Sequence, residues 1–177
     1  MPFTSVNYSR LPGEASEPAR LVLDTNVWLD WLVFADPAAA PIRAAVSAGR
    51  ATVFIDEACD AELARVLAYP LGRHTLEAAG QAAALAECRR FAQRIERQSL
   101  TGGEIAPGAA SLPRCRDPDD QKFLELAAAA HASLLITKDA ALLELARRPA
   151  LPFRILTPRE FAAAVARSTT VFPSKND

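Results

Sequence analysis

Short apolar runs alternate with helical stretches along this chain, and that alternation leaves few folds open to it. Residues 21–23 (Leu-Val-Leu), 52–55 (Thr-Val-Phe-Ile), 134–136 (Leu-Leu-Ile) and 153–155 (Phe-Arg-Ile) each read as a short strand. A weaker run at 98–101 reads as the third strand in chain order. Helical stretches at 27–34, 38–48, 56–70, 75–98, 118–131, 140–147 and from Pro158 onward lie between and after them. Strands joined through helical crossovers pair in parallel, so the expected class is α/β with a central, largely parallel sheet of about five strands.

A chain of 177 residues, half of them hydrophobic and 23% charged, is globular and large enough for one domain with a real core. Pro2, Pro12, Gly13 and Pro18 mark residues 1–19 as a loose tail. A single domain is expected over 20–167 and a frayed tail over 168–177. Within the domain, Gly49 reads as a helix C-cap and Asp56 as an N-cap. Thr157-Pro158-Arg159-Glu160 has the order of a capping box.

The net charge of −1 gives no bulk basicity that would announce nucleic acid. Only Lys122, Lys138 and Lys175 are lysines; the other basic residues are arginine. Arginine serves bidentate phosphate contacts, and arginine with abundant alanine also follows from a GC-rich genome. Cys59, Cys88 and Cys115 are odd in number and widely spaced, which argues against a disulfide framework and against a zinc site. Reduced thiols, no apolar leader and no run near 18 apolar residues place the expected protein in the cytoplasm, off the membrane.

Acidic residues fall where strands give way to helices: Asp24 in LVLDTN, Glu62 in DAELARVL, Asp120 in RDPDDQKFLELA and Asp139 in LLITKDAALL. Open α/β sheets form their sites beyond the carboxyl ends of the strands. Asp24 and Asp139 follow the first and fourth predicted strands and belong at the same sheet edge. Glu62 shares a helix side with Cys59 and Val66, at the border of the buried face; a solvated helix glutamate is the competing reading, and Asp56, Glu57 and Asp60 are neighbouring competitors. In RDPDD, Pro118 at helix position N1 makes Asp117 the N-cap. Asp119 then faces solvent, and Asp120 points toward the sheet edge on the face of Phe123, Leu124 and Ala127. Asn26 either orients Asp24 or caps its helix. Thr25 and Thr137 are hydroxyls beside the same cluster. Converging carboxylates suit a hard divalent cation, which takes oxygen ligands and needs only a few from the protein.

The sequence resembles a known family at these residues. LVLDTNVWLDWLV is similar to the opening of PIN domains, and CRDPDDQKFLELAAAAHASLLITKDAALLEL resembles the closing half of the bacterial PIN subgroup grouped with toxin components of toxin–antitoxin systems. The resemblance covers about residues 20–160. It implies a three-layer α/β/α PIN-like fold and a metal-dependent endoribonuclease. Asp24, Glu62, Asp120 and Asp139 would be the acidic quartet that binds Mg2+ or Mn2+ and catalyses hydrolysis, with Asn26 and Thr137 in support; Asp117, from its place in RDPDD, can support the site as well as cap its helix. It also implies an RNA substrate, a homodimer and a cognate antitoxin.

Arg114 and Arg116 adjoin the third acidic motif and are the candidates for substrate phosphates. Arg90, Arg94 and Arg97 follow helical spacing and form either a phosphate-binding stripe or a solvated face paired with Glu87 and Glu96. His74 and His131 have no partner that suggests metal ligation. A phosphohydrolase with Asp24 as nucleophile is one alternative, weakened because Asn26 stands where that chemistry usually has a second aspartate. A catalytically silent RNA- or protein-binding module is the other.

Overall fold

The computed structural model describes residues 17–96, 112–148 and 151–170, without the side chains of 168–170. Five strands form one all-parallel sheet: β1 (Ala19–Leu23), β2 (Ala51–Ile55), β3 (Ala92–Arg94), β4 (Leu134–Ile136) and β5 (Arg154–Leu156), in the order β3-β2-β1-β4-β5. Their burial explains the apolar runs. Leu21, Val22 and Leu23 are all buried although they alternate between faces, so β1 is covered on both sides.

The covering helices are α1 (Thr25–Leu29), α2 (Ala40–Ser47), α3 (Glu57–Leu67), α4 (Ala78–Phe91), α5 (Gln121–Ala129), α6 (Ala140–Leu145) and α7 (Pro158–Thr170). Helix α3 packs against α1, α4 and α5, and α5 against β1 and β4; α2 and α7 pack on each other and against β2 and β5 respectively. The fold is the expected α/β architecture with helices on the two faces of the sheet.

Several boundaries differ from the sequence reading. Helix α1 ends at Leu29 and continues as a π turn over Asp30–Phe34, closed by Ala35 in the left-handed region (φ 50°). The helix expected to run to residue 98 stops at Phe91. Ala92, Gln93 and Arg94 leave it to pair with Val53, Phe54 and Ile55 as the edge strand. The third strand is therefore earlier than 98–101, which lies outside the described residues, as do the N-terminal tail over 1–16 and Arg97. The helix placed at 118–131 opens as a 3-10 turn (Pro118–Asp120), and His131 in the left-handed region (φ 47°) follows its end. Helix α7 reaches Thr170, beyond the boundary set at 167.

Three caps match the sequence reading. Asp56 Oδ1 accepts from the Cys59 N–H (2.9 Å) and Gly49 adopts φ 69° after α2. Thr157 and Glu160 exchange hydrogen bonds at the head of α7, where Glu160 Oε2 accepts from the Thr157 N–H (2.7 Å).

Strand order places the functional end. From β1 the chain steps outward to β2 and β3, then returns to the other side of β1 as β4. The carboxyl ends of β1 and β4 are therefore the switch point, where open α/β sheets hold their crevice. Asp24 leaves β1 there, and Thr137, Lys138 and Asp139 leave β4.

Candidate active site

Asp24 is 2% exposed and serves two structures at once. Its Oδ1 caps α1 by accepting from the Val27 N–H (2.9 Å). Its Oδ2 accepts from the Thr137 hydroxyl and from the Lys138 N–H (3.3 Å). Burial raises the pKa of Asp24; the hydrogen bond from Thr137 and the backbone N–H groups of Val27, Lys138 and Asn26 pull it back. Thr137, fully buried, also accepts from the Asp139 N–H (2.9 Å), so one hydroxyl ties the ends of β1 and β4 together. Asp139 Oδ1 in turn caps α6 through the Ala141 N–H (2.6 Å).

Asp120 comes to this edge from the 3-10 turn before α5. Asp117 caps that turn, with its Oδ1 accepting from the Asp119 N–H (2.9 Å), and this leaves Asp120 free of capping duty. The Oδ2 atom of Asp120 is buried and takes no hydrogen bond. Its pKa is pushed up to about 7, first by burial, then by the charges of Asp139, Asp117 and Asp24, with the Asp139 carboxylate in hydrogen-bonding reach. Asp24, Asp120 and Asp139 thus share one electrostatic neighbourhood.

Glu62 reaches the border of the same crevice from α3. Its Oε1 accepts from Thr25 Oγ1 (2.6 Å), beside Asp24, and its Oε2 is ion-paired with the Lys122 ammonium. The competitors are occupied elsewhere or point away: Asp56 caps α3, Asp60 holds Arg89 in a two-pronged pair (2.9 and 2.7 Å), and Glu57 is exposed. Asn26 is exposed, and its backbone N–H rather than its side chain acts on Asp24.

Arg116, Asp117, Pro118, Asp139, Ala140 and Ala141 line a cleft of about 370 Å³ beside the acids. Arg116 is exposed and pairs with Glu144 (2.9 Å); Arg114 is exposed nearby in sequence. The supposed arginine stripe is broken, because Arg90 belongs to α4 and Arg94 to β3. His74 stands edge-on to Phe34 (5.4 Å between rings) and His131 follows α5; neither joins the acids.

Sequence reasoning passed over two residues here. Lys122 pairs with Glu62, and Lys138 holds Asp30, which is almost fully buried, at 2.6 and 2.8 Å. A signal was present: in a chain whose basic residues are nearly all arginine, two of the three lysines stand beside acidic motifs.

Among the described residues no three acidic, histidine or cysteine side chains are closed up into a ready-made metal cage. The donor set nevertheless fits a hard divalent cation. Its ligand atoms are oxygens, its charge is concentrated at the switch point, and Asp120 Oδ2 is a buried acceptor with no donor. A cation of that kind also keeps several waters, so an open set of few carboxylates is sufficient.

A family model described as PIN domain matches residues 20–141, more than half of the chain and a span that includes all four acids. Neither the comparison with curated proteins nor the comparison with solved structures gave a match.

Proposed function

We propose, from the premise that this chain belongs to the PIN domain family, that it is a Mg2+- or Mn2+-dependent endoribonuclease. PIN domains are typically nucleases, bind RNA and generally use divalent metal ions. The observation that carries the reading to this chain is the crowding of Asp24, Asp120 and Asp139 at the switch point, with Asp120 Oδ2 buried and without a donor.

Asp24, Asp120 and Asp139 would hold the cation. When bound, it supplies Lewis-acid polarisation of the scissile phosphate and a more acidic water. The chain's own residues do the positioning. Thr137 and Lys138 fix the Asp24 carboxylate, and Thr137 also fixes the Asp139 backbone. Arg116, with Arg114 near it in sequence, offers cationic charge beside the cleft for the RNA backbone. In-line attack by water then leaves a 5′-phosphate and a 3′-hydroxyl. A short RNA incubated with Mn2+ should yield those ends, and a chelator should stop the reaction. Labelled phosphate retained on the protein would instead indicate a nucleophilic Asp24.

The buried cysteine thiols fit a reducing cytoplasm, and among the described residues no helix is long and apolar enough to cross a membrane. The resemblance to the bacterial toxin subgroup supports the toxin of a type II toxin–antitoxin pair, acting as a homodimer and neutralised by a cognate antitoxin. Expression in a bacterial host should arrest growth, and relief by a neighbouring gene product would identify that partner.

A further inference from the structure

The ammonium of Lys122 is enclosed by oxygen and ring contacts at the edge of the acidic crevice. It pairs with Glu62 Oε2, donates to the Asp119 carbonyl oxygen and lies 5.1 Å from the centre of the Phe123 ring. Both members of the Lys122–Glu62 pair are largely withdrawn from water, at 18% and 17% side-chain exposure. The remaining Glu62 oxygen is taken by Thr25 Oγ1 at 2.6 Å. Both oxygens of this carboxylate are therefore engaged by protein groups. The pair is also anchored at both ends of the cluster, since Thr25 follows Asp24 and Lys122 lies two residues after Asp120.

Residue type matters here. Arginine carries a planar fork that grips two oxygens side by side, whereas lysine carries a compact, strongly hydrated point charge. A chain that otherwise uses arginine has placed lysine where a single positive charge must fit between a carboxylate and a carbonyl oxygen. A positive charge held among oxygens is what a bound metal ion would also offer Glu62.

We propose that Lys122 is a tethered counter-cation that occupies Glu62, so that the crevice takes a divalent ion on Asp24, Asp120 and Asp139 without Glu62 as a ligand. Lys122 is then a positioning residue that limits the negative charge of the crevice. The inference rests on the reading of the crevice as a metal site. Removing the ammonium releases Glu62 and adds one negative charge to the ion's surroundings.

Calorimetric titration of the full-length protein with Mn2+ tests this without reference to activity. Lys122→Met should bind Mn2+ about tenfold or more tightly than the unaltered protein, or bind a second ion. Lys122→Arg, which keeps the charge, should stay within about threefold of the unaltered protein. Glu62→Gln leaves the Lys122 ammonium unpaired and should weaken binding by about tenfold, whereas Asp24→Asn should lose most binding. The Lys122→Met/Glu62→Gln double variant should return to the unaltered affinity. Thermal melts establish which variants are folded; if Lys122→Met is not, the Lys122→Arg and Glu62→Gln titrations still decide. A Glu62→Gln loss comparable to that of Asp24→Asn, or a folded Lys122→Met with unchanged affinity and stoichiometry, would overturn the inference. An unaltered protein that binds no Mn2+ at all would overturn the metal-site reading beneath it.

Discussion

At the end of β1, Asp24 has both carboxylate oxygens in hydrogen bonds, to Val27, Thr137 and Lys138; at the head of α5, Asp120 keeps Oδ2 buried with none. Burial raises the pKa of both. The opposing terms differ. Donors from four residues (Thr137, Val27, Lys138 and Asn26) favour the charged form of Asp24, while the charges of Asp139, Asp117 and Asp24 press on Asp120 and disfavour its charge. Asp24 is a fixed post that also caps a helix. Asp120 carries the electrostatic load of the cluster and, if the proposed cation binds there, would be the acid it relieves most.

The contrast breaks first at Asp24. Asparagine is as good an N-cap as aspartate, so Asp24→Asn should keep the fold while removing the charge, with a lower melting temperature because its amide NH2 replaces the oxygen that accepts from Thr137 and Lys138. Mn2+-dependent RNA cleavage should fall by at least about 10³-fold, comparable to loss of a central electrostatic group in other enzymes. Asp139→Asn should behave alike, because its cap to Ala141 also tolerates asparagine. Normal cleavage by both variants would remove them from the site.

A smaller effect is expected from the post's support. Thr137→Val keeps the shape of the side chain and deletes the hydroxyl that donates to Asp24 and accepts from Asp139. Loss of a hydrogen bond to a buried charged group costs about 2 kcal/mol of stability. Deleting the partner of a metal-binding group costs roughly 10- to 100-fold in metal affinity. Chemical denaturation and Mn2+ titration measure the two separately.

The smallest effect probes Asp120 itself and depends on pH. Its folded-state pKa, about 7, lies above the ordinary aspartate value, so the folded protein binds this proton more tightly than the unfolded chain. That contribution to stability is complete below about pH 4 and is lost as pH rises through about 7. In chelator, stability should therefore decline over this interval, and Asp120→Asn should flatten the decline. At pH 8 the variant should be more stable by about 1 kcal/mol, a figure reduced for the residue's partial exposure. A variant no more stable than the parent at pH 8 would show that the crowding of Asp120 carries no cost.

Most of the sheet was legible because β1, β2, β4 and β5 each carry a run of buried β-branched or apolar residues that needs a sheet interior. Strand β3 was not. Ala92, Gln93 and Arg94 are good helix formers after an alanine-rich helix; pairing with the open edge of β2, a contact between distant residues, draws them into the sheet. The π turn at Asp30–Phe34 was hidden for a related reason, since Asp30 is held there by Lys138 from beyond β4. Asp24, Asp120 and Asp139 were legible because strand ends and the Asp117 cap fix their directions locally. The Lys122–Glu62 pair was not, because a helix pattern shows which face a lysine occupies and not the acid it meets on another helix.

The most direct test of the account is a crystal structure of the protein with Mn2+, with the metal located by its anomalous scattering. A peak is expected among the carboxylates of Asp24, Asp120 and Asp139, with Asp120 Oδ2 turned to the ion and Lys122 still on Glu62. Saturating Mn2+ with no peak among these three acids, or a peak only elsewhere on the molecule, would contradict it.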